Sequence, residues 1–254
     1  MVDAVLEERA VVKRGYTILP SVGLCESPLP NYHEASVKIL AAPVIGADFA
    51  EYLIDFRPGG KTVKAIQDGL EYFVFGLSGK VRLEAKTGHY PMGPGDFAYL
   101  PPNLAFSILN ESKEIASLLL LKRPYIPFEK ETPSLTVGNE ASISGDIYMG
   151  LEGVVLKKLI PADPAFDIAM NIFTFQPGTS LPVIETHIMQ HGVYMLQGQG
   201  LYYLGDRWYQ VKGGDFIWMG NFTPQSFYCT GNLPARYIYY KDINRDVMFG
   251  SNIR

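Results

Sequence analysis

Apolar positions recur in this chain as short runs. R-A-V-V-K-R-G-Y-T-I-L-P, V-K-I-L-A-A-P-V, F-A-E-Y-L-I-D-F and, later, G-V-V-L-K-K-L-I are rich in β-branched and aromatic residues, with proline and glycine between them. That is the punctuation of strands and turns. No segment sustains a 3.6-residue apolar period with capping residues at its ends, so helices are expected to be few and short. P-A-D-P-A-F, residues 161–166, is a candidate helical turn.

The runs repeat. Phe56-Arg57-Pro58-Gly59 matches Phe175-Gln176-Pro177-Gly178, Leu77-Ser78-Gly79 matches Leu196-Gln197-Gly198, and Gly95-Asp96-Phe97 matches Gly214-Asp215-Phe216, each pair 119 positions apart. Three matches at one offset point to a duplicated β unit. The chain is therefore expected to be all-β, two small barrels or double-sheet jelly rolls in tandem. The division falls into residues 1–125 and 126–254, with the proline-bearing stretch K-R-P-Y-I-P-F-E-K-E-T-P-S-L as the surface linker.

Composition narrows the class. Length 254 allows two domains with cores of their own, and 18 prolines, 25 glycines and 16 tyrosines suit short strands and turns. A net charge of −4 offers no electrostatic footprint for nucleic acid or for an anionic membrane. No window reaches the roughly 18 apolar residues of a spanning helix. The acidic opening M-V-D-A-V-L-E-E-R lacks the order of a signal peptide, so a cytoplasmic protein is expected. Cys25 and Cys229 form no ligand or redox motif and read as incidental thiols.

Two of the four histidines fall within five residues in E-T-H-I-M-Q-H-G. On an extended chain Glu185, His187 and His191 share one face, so one strand is expected to aim three donors inward. Gly198 and Gly213-Gly214 allow a return through a hairpin to a strand ending near Gln225, a fourth donor. Polar residues on a half-exposed strand would be the plain alternative. Against it, the offset carries Glu185, His187, His191 and Gln225 back onto Ile66, Asp68, Tyr72 and Phe106, so the first repeat is expected to be metal-free. Two imidazoles, a carboxylate and an amide oxygen suit Mn(II), with Fe(II), Ni(II), Co(II) or Zn(II) as alternatives.

The pattern E-x-H-x3-H-x6-G followed by G-D-x9-Q resembles the two signature motifs of the cupin superfamily, H-x-H-x3-E-x6-G and G-D-x4-P-x4-H. Its permuted donors resemble those of the (S)-ureidoglycine aminohydrolases, manganese bicupins also called glyoxylate-induced proteins. The resemblance places Gln225 at the last ligand position. It implies a bicupin fold, Mn(II), exchange of N-terminal strands and a homo-oligomer. The implied reaction takes a small ureido amino acid, (S)-ureidoglycine, to (S)-ureidoglycolate and ammonia in purine and allantoin degradation. On the strand after Gln225, Tyr237 and Lys241 share a face, and the family's substrate-binding tyrosines and lysine fall in this region. Tyr237, Lys241 and Tyr202 are thus candidate substrate residues, joined by Glu185 as an acceptor for the substrate amine. Tyr237, Lys241 and Glu185 are the candidate catalytic groups, with Lys241 as base or proton shuttle. Lys122 matches Lys241 at the same offset, which would fit a strand-end lysine equally well. The alternatives are a metal-dependent cupin dioxygenase or decarboxylase, and a non-catalytic small-ligand-binding bicupin.

Overall fold

The computed structural model describes residues 9–128 and 131–242. The acidic opening through residue 8, residues 129 and 130 of the expected linker, and the tail from residue 243 lie outside the described residues. Strands β1 (Val11–Val12) and β2 (Tyr16–Leu19) come first. The first repeat continues with β3 (Tyr32–Ala41), β4 (Ala50–Thr62), β5 (Glu71–Ser78), β6 (Val81–Ala85), β7 (Gly88–Met92), β8 (Asp96–Leu100), β9 (Phe106–Leu109) and β10 (Ala116–Arg123). Next come β11 (Thr136–Asn139), β12 (Asp146–Ile147) and β13 (Val154–Lys158). The second repeat is completed by β14 (Ile168–Phe175), β15 (His191–Gln197), β16 (Gln199–Leu204), β17 (Arg207–Lys212), β18 (Phe216–Met219), β19 (Gln225–Cys229) and β20 (Ala235–Asp242). The helical content among the described residues is confined to three-residue 3-10 turns. Residues 161–166 make a turn and no helix, and no helix is long and apolar enough to cross a membrane.

The offset of 119 holds in the strand register itself. Lys122 pairs with Tyr72 and Ala50 in the first repeat, as Lys241 pairs with His191 and Ala169 in the second. The bulges coincide as well, between Ser117 and Leu118 against β5 and at the equivalent Arg236 and Tyr237 against β15. Gly79 and Gly198 turn the chain at φ 65° and 77°, and a Cβ on either would strike backbone, Ile115 O or Pro234 O. Only glycine fits that left-handed turn against a neighbouring strand.

β10 shows why its sequence is apolar without alternation. Leu118 and Leu120 enter the core of the first barrel with Ile54 and Val74, whereas Leu119 and Leu121 point the other way into a layer shared by both barrels. A strand buried on both faces needs no polar side. In the second repeat Tyr237 faces the barrel interior while Ile238 and Tyr240 enter the shared layer. Each fully buried side chain of this size contributes on the order of 2 kcal/mol.

The repeats exchange strands. β2 pairs with β18 of the second barrel, and β11 pairs with β8 of the first, with Leu19 opposite Phe216 and Gly138 opposite Phe97 at equivalent register. The aspartates of the two G-D-F motifs hold the exchanged segments. Asp96 accepts from Gly93 N–H and the Asn139 amide, both at 2.7 Å, and Asp215 accepts from Lys212 N–H at 2.9 Å and Ser21 N–H at 3.1 Å. Arg9 pairs with Asp215 too. Across the expected division at 125/126, the eight-stranded sheet thus takes β1 and β2 from one side and the nine-stranded sheet takes β11 from the other.

Candidate metal centre

The second barrel opens into a cavity of about 360 Å³ whose wall includes Glu185, His187, His191, Gln225, Tyr202, Tyr237 and Lys241. All seven candidate residues come together. Of these, Glu185, His187 and His191 do not share the one strand expected for them. Glu185 makes a single bridge with Gln225, with N–H···O bonds of 2.8 and 2.9 Å, His187 lies in the following loop, and only His191 is in a strand, as the first residue of β15. Gln225 begins its strand, where a hairpin ending there was expected. The same-face argument assumed extended backbone through residues 185–191. That stretch instead bends, tied down by Phe222 N–H to His187 O at 2.7 Å and by Thr186 Oγ1 to Phe222 O at 3.0 Å.

The two imidazoles meet through Nε2 at 3.2 Å, and the Gln225 amide lies 3.0 Å from His187 Nε2. His191 Nδ1 lies 3.0 Å from the Tyr240 carbonyl oxygen, which can only accept. The ring proton is therefore on Nδ1, and Nε2 presents a lone pair to the cavity. Burial, aided by His187, holds the His191 pKa down to about 3, so this imidazole stays neutral. His187 is lowered by burial first and then by the positive charge of Lys241. Tyr239 packs edge-on against His191, ring centroids 5.5 Å apart, and stacks on Phe173 at 5.6 Å, fixing the imidazole plane.

This arrangement suits a cation. Ligands about 2.1 Å from a metal in adjacent positions stand about 3.0 Å from each other. The two facing Nε2 atoms are reconciled by a cation between them, and the Gln225 amide, turned to place Oε1 where Nε2 stands, supplies an oxygen beside them. Glu185 stands apart from this trio in that Tyr148 donates to its Oε1 at 2.9 Å. Among the described residues, no group of three or more His, Cys, Asp or Glu side chains is placed to hold a metal, so Glu185 does not join His187 and His191 in the expected three-donor set.

Tyr202 and Tyr237 are each 2 % exposed, their rings 6.1 Å apart. Burial raises both phenols well above their usual range, so they act as neutral hydrogen-bonding groups. Lys241 sits opposite His191 on β20 and completes the wall. Tyr148 was missed by the motifs. It lies in the segment between the repeats, yet it is 119 positions after Leu29, which lines the corresponding cavity of the first repeat. Extending the repeat upstream of Phe56 would have found it.

The first repeat has the same frame with other side chains. Ile66 bridges Phe106 as Glu185 bridges Gln225, and Tyr72 donates to Asp68 Oδ2 at 2.6 Å where the two imidazoles meet in the second. Asn103 and Phe222, again equivalent, both adopt positive φ, 68° and 60°.

The cupin-domain family profile matches residues 52–122 and 171–240. The chain is 36 % identical to (S)-ureidoglycine aminohydrolase of Escherichia coli (strain K12) over 248 residues, 96 % of this chain and 95 % of that one. It is 35 % identical to the probable (S)-ureidoglycine aminohydrolase of Oryza sativa subsp. japonica over 244 residues, 94 % of this chain and 76 % of that one. Among solved structures, a putative glyoxylate-induced protein from Pseudomonas aeruginosa superposes with a TM-score of 0.89 at 28 % identity, covering 98 % of this chain and 95 % of that one.

Proposed function

This chain belongs to the (S)-ureidoglycine aminohydrolase family of cupin-domain proteins, and from that premise we propose that it is a Mn(II)-dependent hydrolase converting (S)-ureidoglycine and water to (S)-ureidoglycolate and ammonia. The observation that supports the metal reading is the approach of His191 Nε2 and the Gln225 amide to His187 Nε2, at 3.2 and 3.0 Å. These three would hold the ion, with Glu185 able to join by release from Tyr148. A divalent ion there supplies Lewis acidity toward the substrate and a water of lowered pKa.

The remaining chemistry falls to the chain. Lys241 pairs with the substrate carboxylate on arrival and moves protons at Nζ, one of which leaves with the amine nitrogen as ammonia. Glu185 accepts the proton that the incoming water gives up. Tyr237 and Tyr202 orient the ureido group by hydrogen bonding, and the buried aromatic floor restricts water to the reacting face.

Ammonia release from freshly generated (S)-ureidoglycine tests this, measured above spontaneous decay with metal-stripped protein, with and without Mn(II), beside His187→Ala. Release that requires Mn(II) and is lost in the variant is expected. Stoichiometric Mn(II) binding without release would overturn the substrate, and oxygen uptake with other small acids would point to a dioxygenase.

A further inference from the structure

The first barrel keeps a cavity of about 610 Å³ at the place where the second has its site. A purely structural barrel would be expected to close it with apolar side chains. Its wall instead sets charged and phenolic groups among Leu29, Pro30, Val63, Ala65 and Ile66. Lys122 and Lys64 supply two positive charges against the single carboxylate of Asp68, and Tyr32, Tyr52 and Tyr72 supply phenols.

These groups are arranged. Lys122 faces Tyr72 across the same strand pair, at the same register, as Lys241 faces His191. Asp68 is already engaged, accepting from the Tyr72 hydroxyl at 2.6 Å and from Leu70 N–H at 3.3 Å. Lys122 Nζ is 4.0 Å from Asp68 and 5.7 Å from the centre of the Tyr52 ring, contacts that steady an ammonium while leaving its donors free. Burial keeps the Tyr32 and Tyr72 phenols protonated. The cavity is thus rich in donors, carries an excess positive charge and has no metal-ligand pair.

We propose that the first-repeat cavity is a second, metal-independent binding site for a small ureido acid, whose carboxylate pairs with Lys122 and whose ureido carbonyl accepts from the Tyr32 and Tyr52 phenols. A monoanion matches the charge of the wall, and a molecule with two acceptor groups matches its surplus of donors. The choice of a ureido acid over other carboxylates rests on the function proposed above.

The probe is N-carbamoylglycine, a stable ureido acid that the enzyme cannot deaminate, titrated by calorimetry into chelator-treated protein carrying Lys241→Ala so that the second-repeat pocket is disabled. One binding event per chain is expected. Adding Lys122→Ala, or the less invasive Lys122→Gln, should weaken it at least tenfold, and Tyr52→Phe should weaken it by a smaller factor. Lys122→Gln alone should leave Mn(II)-dependent ammonia release intact, showing that the protein is folded. No binding in the Lys241→Ala protein, or binding unchanged by both Lys122 substitutions, would overturn the proposal. Acetate binding as tightly as N-carbamoylglycine would overturn the ureido assignment. Because the titration involves neither metal nor turnover, failure of the hydrolase assay would not mimic any of these results.

Discussion

The two barrels differ less in shape than in a handful of side chains. Strand pairings, bulges and turn glycines superpose at one offset, and even the bridge that frames each cavity recurs. On this shared frame one barrel presents His187, His191, Gln225 and Glu185, and the other presents Asp68, Tyr72, Phe106 and Ile66. Where two imidazoles face each other through Nε2 in one repeat, a phenol and a carboxylate satisfy each other directly with one hydrogen bond in the other. The exchange of these side chains required no change in the strand register around them. The shared layer carries a similar contrast, with Glu51 buried in the first repeat where Met170 lies in the second.

The largest test of the comparison is the donor exchange. His191→Tyr, which installs the first repeat's residue, should reduce ammonia release to the spontaneous rate and empty the protein of Mn(II) as read by elemental analysis. Tyr72→Phe should leave both unchanged.

Next is Glu51→Met. Burial pushes Glu51 up to about 8, and its Oε2 has no hydrogen-bond partner. The folded protein keeps this carboxyl protonated where the unfolded chain ionises it. Its contribution is thus fully present below the ordinary carboxylate range and is lost as pH rises through about 8. Glu51→Met should stabilise the protein by about 2 kcal/mol at pH 8, with a smaller gain near pH 5. Urea unfolding across that range checks it; a gain independent of pH would break the reading.

Tyr148→Phe removes a hydrogen bond to the Glu185 carboxylate, one that Leu29 cannot offer in the first repeat. Charge-assisted bonds of this kind are worth about 1.5–3 kcal/mol, so losing the one that positions Glu185 should lower kcat/KM about tenfold or more. The smallest effect is at the positive-φ pair. Asparagine tolerates that conformation and phenylalanine does not, so Phe222→Asn should raise stability by about 1 kcal/mol in thermal unfolding.

The duplication was legible because Phe-x-Pro-Gly, Leu-x-Gly and Gly-Asp-Phe occupy turns and strand ends where geometry restricts the residue. The donors were legible because histidine is scarce in the chain. The bend through residues 185–191 was not, since it depends on bonds from Phe222 and Gln225 that lie more than thirty residues away. Strand exchange could not be read from residues either. β2 and β11 are four residues long, and nothing within so short a segment states which barrel it joins. Tyr148 was hidden for a related reason, because no recognised motif match extended the repeat into its segment.

That exchange has a consequence for synthesis. β11 follows β8 within about 40 residues, so the first barrel can cover its edge soon after the ribosome has made it. β2 must wait for β18, made about 200 residues later. Until then β2 has only the two residues of β1 beside it, and contacts so distant in sequence form slowly. The second barrel closes around a segment made long before it, so a chain released before β18 would leave both that segment and an open sheet edge available for aggregation.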